Sequence, residues 1–178
     1  MPLKKEVEDK GYTQLKQDLK TGQLCTVYVF HGEETYLREY YLDQLRKKLI
    51  PAGFEEFNYH KLEGKALSVQ ALSDIVEALP MMCEKTLVTV TDFDLFKLNE
   101  EQRGQLIALL SDFPDYCCLV FVYDILEYKP DKKMKRLYTA LTSTAQIVEF
   151  KTQGQSDLIN WVTRRFKALG KEIDRQSA

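Results

Sequence analysis

The residues Cys117-Cys118-Leu119-Val120-Phe121-Val122 form an unbroken apolar run, and Leu24-Cys25-Thr26-Val27-Tyr28-Val29-Phe30 is nearly as continuous. A strand wetted on one face alternates polar and apolar residues, whereas a run without alternation fits a strand covered on both faces of a parallel sheet. Parallel neighbours need long crossovers, and the residues between the runs have helical spacing. Leu37, Tyr41, Leu45 and Leu49 recur at a spacing of four, with Arg38, Glu39, Asp43, Arg46 and Lys47 on the other sides, and Pro51 follows. This pattern predicts an amphipathic helix that stops before the proline.

The alternation extends along most of the chain. Tyr12 to Lys20 reads as a helix ended by Gly22, and Glu56 to Lys61 as a weaker, more polar strand. Ser68 is placed to cap a helix carrying Val69, Leu72, Ile75, Val76 and Leu79, closed by Pro80. Thr86 to Thr91 is a strong strand, and Asn99 caps a helix that runs to about Leu110. A basic helix from Lys132 to Leu141 and a strand from Ala145 to Phe150 complete the series. We therefore expect an α/β domain over residues 1–152 with a five-stranded parallel sheet flanked by helices, its Thr86 and Cys117 strands central and buried.

Beyond the polar stretch Lys151 to Gln155 the texture changes. Ser156 reads as the cap of a helix bearing Leu158, Val162, Phe166 and Leu169, ended by Gly170, with Asp174 as the cap of another. Residues 153–178 are expected to begin a second, helical, lid-like domain that is cut short, and Trp161 to anchor its core.

The remaining inventory excludes several classes of function. Four irregularly spaced cysteines, Cys25, Cys83, Cys117 and Cys118, make neither a disulfide scaffold nor a zinc site, and read as buried, reduced thiols. With only His31 and His60, a histidine metal site or a Ser-His-Asp arrangement has little raw material. We expect no metal and no cofactor. The net charge of −2 argues against a generally basic nucleic-acid-coating protein. No apolar run is long enough to cross a membrane, so a cytoplasmic protein without a membrane partner is expected.

A glycine turn between a first strand and a helix is where a phosphate loop belongs, because the helix N-terminus offers free N–H groups. Counting Gly-x-x-x-x-Gly-Lys-[Ser/Thr] from Gly32 puts Leu37 at the second glycine, Arg38 at the lysine and Glu39 at the magnesium-binding hydroxyl. All defining positions but the first fail, and Glu33, Glu34 and Glu39 set negative charge against a polyphosphate. Nucleotide binding is not expected here. Asp92, which ends a strand where such folds hold a metal-binding acid, reads as a turn residue.

Three segments together carry a family resemblance. They are Tyr28-Val29-Phe30-His31-Gly32-Glu33-Glu34 before its helix, Glu77-Ala78-Leu79-Pro80-Met81-Met82-Cys83-Glu84-Lys85-Thr86-Leu87-Val88, and Leu158-Ile159-Asn160-Trp161-Val162 with Gly170-Lys171-Glu172-Ile173-Asp174. In these the chain resembles the delta subunit of bacterial DNA polymerase III, over the N-terminal half of that family's length. The resemblance implies a clamp-loader subunit with the AAA+-like fold of the loader ATPases, no ATP hydrolysis of its own, and a non-catalytic place in the polymerase holoenzyme. It implies partners too: the sliding clamp, the ATPase subunits and delta-prime through a region beyond Ala178, and primed DNA weakly or indirectly.

In the family a hydrophobic element after the second helix inserts into a pocket on the ring-shaped clamp and helps to open it. That element falls on Met81 and Met82, with Leu79 close by; relatives often present a leucine and an aromatic residue there. The residues alone leave two alternatives. Apolar side chains in a helix-to-strand connection either fold under the sheet edge, as methionine often does, or face a partner.

The residues leave room for two other classes of function. Lys132, Lys133, Lys135 and Arg136, with Tyr128, Tyr138 and the Arg164-Arg165 pair, make a possible DNA contact for a nucleic-acid adaptor, against the plainer reading of a solvated helix face. An active P-loop phosphotransferase would need the loop that the register test rejects.

Overall fold

The computed structural model describes residues 10–152 and 154–174. Five strands, β1 (Val27–His31), β2 (Tyr59–Glu63), β3 (Thr86–Thr91), β4 (Cys117–Val122) and β5 (Ala145–Glu149), form one sheet in the order β2-β3-β4-β1-β5. Every pairing is parallel. Among the described residues seven α-helices accompany them: α1 (Lys10–Thr21), α2 (Thr35–Leu49), α3 (Glu55–Asn58), α4 (Val69–Val76), α5 (Glu100–Ser111), α6 (Lys135–Thr144) and α7 (Gln155–Ala168).

The strand order and the right-handed rule for crossovers together decide which face each helix covers. The step from β1 to β2 runs across the sheet in one direction, while β2 to β3, β3 to β4 and β4 to β5 run in the other. So α2 lies on one face and α4, α5 and α6 on the opposite one. The two halves of the core follow. Leu15 of α1 and Leu37, Tyr41, Leu42 and Leu45 of α2 pack with Tyr28, Phe30, Leu87, Cys118 and Val120. Val69, Leu72, Val76, Leu106, Leu109, Leu137 and Leu141 pack with Val27, Val29, Val88, Leu119 and Phe121. Successive residues of β1 and β4 thus serve opposite faces, the two-residue period of a strand buried on both sides.

Local signals place several ends. Ser68 Oγ accepts from the Ala71 N–H, and Asn99 and Gln102 form a reciprocal capping box. Gly22 follows α1 with φ +80°.

Other boundaries differ from the sequence expectation. Residues expected to open the second strand are instead the helical turn α3, in which the Phe54 carbonyl accepts from the Phe57 and Asn58 N–H groups; the strand itself starts at Tyr59. Helix α4 ends at Val76, short of Leu79, since the residue before Pro80 disfavours helical backbone. The first strand opens at Val27, and the basic helix starts at Lys135, because the Asp131 carboxylate accepts from the Lys133 N–H in a preceding turn. At α7 the cap position is Gly154, so Ser156 lies within the first turn. The helix expected after Asp174 falls on 175–178, outside the described residues.

Trp161 also differs from expectation. It packs edge-on against Tyr36 and Tyr40 of α2, with ring centroids 5.3 and 6.3 Å apart, so its aromatic partners belong to the α/β part of the chain.

Candidate functional site

In an open parallel sheet the natural ligand crevice lies at the C-terminal strand ends, where neighbouring strands send their connections to opposite faces. Here that point is between β1, which leads into α2, and β4, which leads towards α6. Arg38 occupies it. Its side chain is 1% exposed, and Nη1 donates to the carbonyls of Gly32 at 3.2 Å, after β1, and Tyr123 at 2.9 Å, after β4. Nη2 forms an ion pair with Asp124. The guanidinium thus bridges the two lips of the crevice with protein acceptors.

The turn that a phosphate would need is closed in the same way. The Glu34 N–H donates to the Phe150 carbonyl at 3.0 Å, and the Phe150 N–H donates to the His31 carbonyl at 2.7 Å. Gly32 has φ +115°, and a Cβ there would lie 2.4 Å from the Phe150 carbonyl oxygen, so only glycine fits the turn against this segment. Leu37, at the position of the second loop glycine, is buried in the core.

Asp92 is committed as well. With φ +55° at the end of β3, it turns its carboxylate onto the strand-following loop and accepts from the N–H groups of Asp124, Ile125 and Leu126 at 2.9, 3.1 and 3.0 Å. Among the described residues no group of His, Cys, Asp or Glu is arranged to hold a metal.

The connection from α4 to β3 is the opposite case, since it presents apolar atoms to water. Leu79, Met81 and Met82 are 77%, 52% and 81% exposed. They are held from behind. The buried Asn58 amide donates to the Met81 carbonyl at 2.9 Å and accepts from the Met81 N–H at 2.7 Å, while Tyr116 Oη donates to the Glu77 carbonyl at 2.9 Å. Met82 has φ +57°, a left-handed backbone that is uncommon outside glycine and asparagine, and it turns the chain at the tip.

Lys132, Lys133, Lys135 and Arg136 are all exposed. Lys133, Lys135 and Arg136 line a shallow groove between α5 and α6 together with Arg103 and Glu100. The aromatic residues grouped with them are spoken for: Tyr128 packs against His31, Phe96 and Tyr123, and Tyr138 packs against the core. Arg165 lies over the Tyr40 and Trp161 rings at 4.9 and 5.4 Å. Cys117 and Cys118 are buried, whereas Cys25 and Cys83, expected to be buried too, are only partly so.

The family model for the DNA polymerase III delta subunit matches residues 28–151, which takes in the whole sheet except Val27, the filled crevice and the methionine loop. The chain belongs to the DNA polymerase III delta subunit family. Its relatives include the DNA polymerase III subunit delta of Bacillus subtilis (strain 168), 26% identical over 168 residues, which cover 91% of this chain and 48% of that protein. Among solved structures, the Bacillus subtilis DNA clamp loader delta protein superposes with a TM-score of 0.68 at 20% identity, over 92% of this chain and 49% of that one. A Thermotoga maritima DNA polymerase III gamma subunit-related protein gives a TM-score of 0.54 at 13% identity, over 89% of this chain and 54% of that one. This delta-family chain thus spans about half the length of the relatives it matches, and its fold is the five-stranded parallel one expected from the sequence, of the AAA+-like kind that the family resemblance implied.

Asn58 is a candidate-site residue that the sequence analysis does not single out. A polar residue between Phe57 and Tyr59 carries no periodic signal, and its partner lies 23 residues away.

Proposed function

We propose that this chain is the clamp-binding part of a clamp-loader delta subunit, with Leu79, Met81 and Met82 docking into an apolar pocket of the sliding clamp and helping to open the ring for loading onto primed DNA. The observation that carries this reading is the exposed pair of thioether side chains on a connection held rigidly from behind. Burying both would supply roughly 3–6 kcal/mol before association costs. Opening the ring needs no bond chemistry, only tighter binding to the opened clamp than to the closed one. The eight-residue helix α4 serves as the arm behind the knob.

In this reading the subunit is non-catalytic and hydrolyses no ATP, in keeping with the protein groups that fill the crevice. Its other partners are the ATPase subunits and delta-prime of the loader, and it works in the cytoplasm as a replication factor. Residues 153–178 begin the lid-like helical domain. The decisive experiment is capture of purified sliding clamp by wild type and by Met81→Ala/Met82→Ala, with thermal melting as the folding control. Capture should fall at least tenfold with melting unchanged; undiminished capture by a normally folded variant overturns the assignment.

The exposed cations Lys132, Lys133, Lys135 and Arg136, beside Arg103, favour an additional contact with the phosphates of primed DNA. Reversing Lys132 and Lys133 to glutamate should then flatten the salt dependence of DNA binding. An unchanged slope rejects the contact.

A further inference from the structure

We infer that Asn58 is a positioning residue for the clamp-binding knob: its buried amide holds the Met81 peptide so that the tip is presented already in its docking conformation. This inference rests on the proposed role of Met81 and Met82. Asn58 is fully buried although asparagine is a polar residue, and its amide is used on both sides. Oδ1 accepts from the Met81 N–H, and Nδ2 donates to the Met81 carbonyl and, at 3.0 Å, to the Phe54 carbonyl of its own helical turn. The amide therefore pairs with Met81 as a neighbouring strand would, at a place where the chain has no strand to offer.

The consequence falls on the next residue. Met82 is in the left-handed region, a conformation that persists where its surroundings impose it. With Met81 fixed at both its N–H and its carbonyl, and Glu77 fixed by Tyr116, the segment between them is tethered at two points on buried or packed residues. A loop ordered beforehand does not lose that freedom on binding, so its affinity is higher than that of the same side chains on a mobile loop. Asn58 touches no partner in this arrangement; it acts through Met81.

The test compares clamp affinity by surface plasmon resonance, at a temperature well below melting, for wild type, Asn58→Ala, Met81→Ala/Met82→Ala and Leu141→Ala. Leu141 is a fully buried core residue of α6, and its truncation controls for general destabilisation. Asn58→Ala is expected to weaken clamp binding about tenfold, while Leu141→Ala, with an equal or greater drop in melting temperature, binds like wild type. Clamp binding by folded Asn58→Ala within twofold of wild type, where the methionine variant loses it, overturns the positioning role and leaves the knob assignment standing. Wild-type binding by the methionine variant overturns both. Amide hydrogen exchange on the free wild-type protein gives a reading that needs no variant: the Met81 N–H should be protected, and exchange at the unprotected rate overturns the inference.

Discussion

Arg38 donates a hydrogen bond back to the carbonyl of Gly32 at 3.2 Å, and so the first turn of α2 seals the turn from which that helix springs. The same guanidinium reaches the Tyr123 carbonyl across the sheet. A side chain at the position of a phosphate-binding lysine is here the plug of the cavity that a phosphate would enter.

Replacing Arg38 by alanine strips donors from two carbonyls and leaves a buried void, while Asp124 keeps access to water. We expect a loss of about 2–4 kcal/mol, read from the denaturant midpoint. Arg38→Lys should restore no nucleotide site, because Leu37 and the Phe150 backbone still occupy the turn. Calorimetric titration with ATP and magnesium should be flat for both wild type and Arg38→Lys; saturable heat in either would show that the crevice is open.

Asp92 accepts from three successive loop N–H groups while its own backbone is left-handed. Alanine removes the acceptor and also disfavours the backbone, so Asp92→Ala should cost about 2–3 kcal/mol. Asparagine tolerates the left-handed region and keeps one acceptor oxygen, so Asp92→Asn should cost about 1 kcal/mol. Urea unfolding of the two variants checks the order; equal losses would overturn it.

On the surface of α2, the hydrogen bond from Lys47, and after it that from Arg46, holds the Asp43 carboxyl below the ordinary range for an aspartate. The folded state therefore favours the ionised form. The stabilisation is present in full above the unfolded value near pH 4 and is lost as pH falls through the lower folded value. Both ends of the pair are well exposed, so the effect is under about 1 kcal/mol and shrinks with salt. The stability gap between wild type and Asp43→Asn should close as pH falls from 7 to 2; a gap independent of pH rejects the linkage.

Burial pushes the Cys117 thiol up to about 11, and Cys118 is raised as well by burial. Thiolate is the reactive form, so at pH 8 alkylation of both should be slow in the folded protein and fast after unfolding. Mass mapping after timed iodoacetamide treatment checks this; rapid labelling of either in the native state would contradict the packed strand.

Much of this architecture was legible in the sequence because it rests on local rules. The unbroken apolar runs of β1 and β4 announce strands covered on both faces, the Ser68 and Asn99 caps mark helix starts, and the register from Gly32 shows that the phosphate loop is absent. The boundaries that slipped are those decided by neighbours. The α3 turn depends on the Phe54 carbonyl, and the early end of α4 frees Leu79 to stand in solvent.

Periodicity and capping act over a few residues, and within that range the sequence by itself determined the five strands and the longer helices, the missing phosphate loop and the chemistry of the Met81-Met82 tip. Tertiary structure alone decided whether those thioethers would face water, what would fill the crevice, and that Asn58 would clamp Met81. Each of these outcomes depends on partners brought together from distant parts of the chain, as with Arg38 and Tyr123, 85 residues apart. Such pairings are made by the order of strands in the sheet, which no local pattern of side chains encodes.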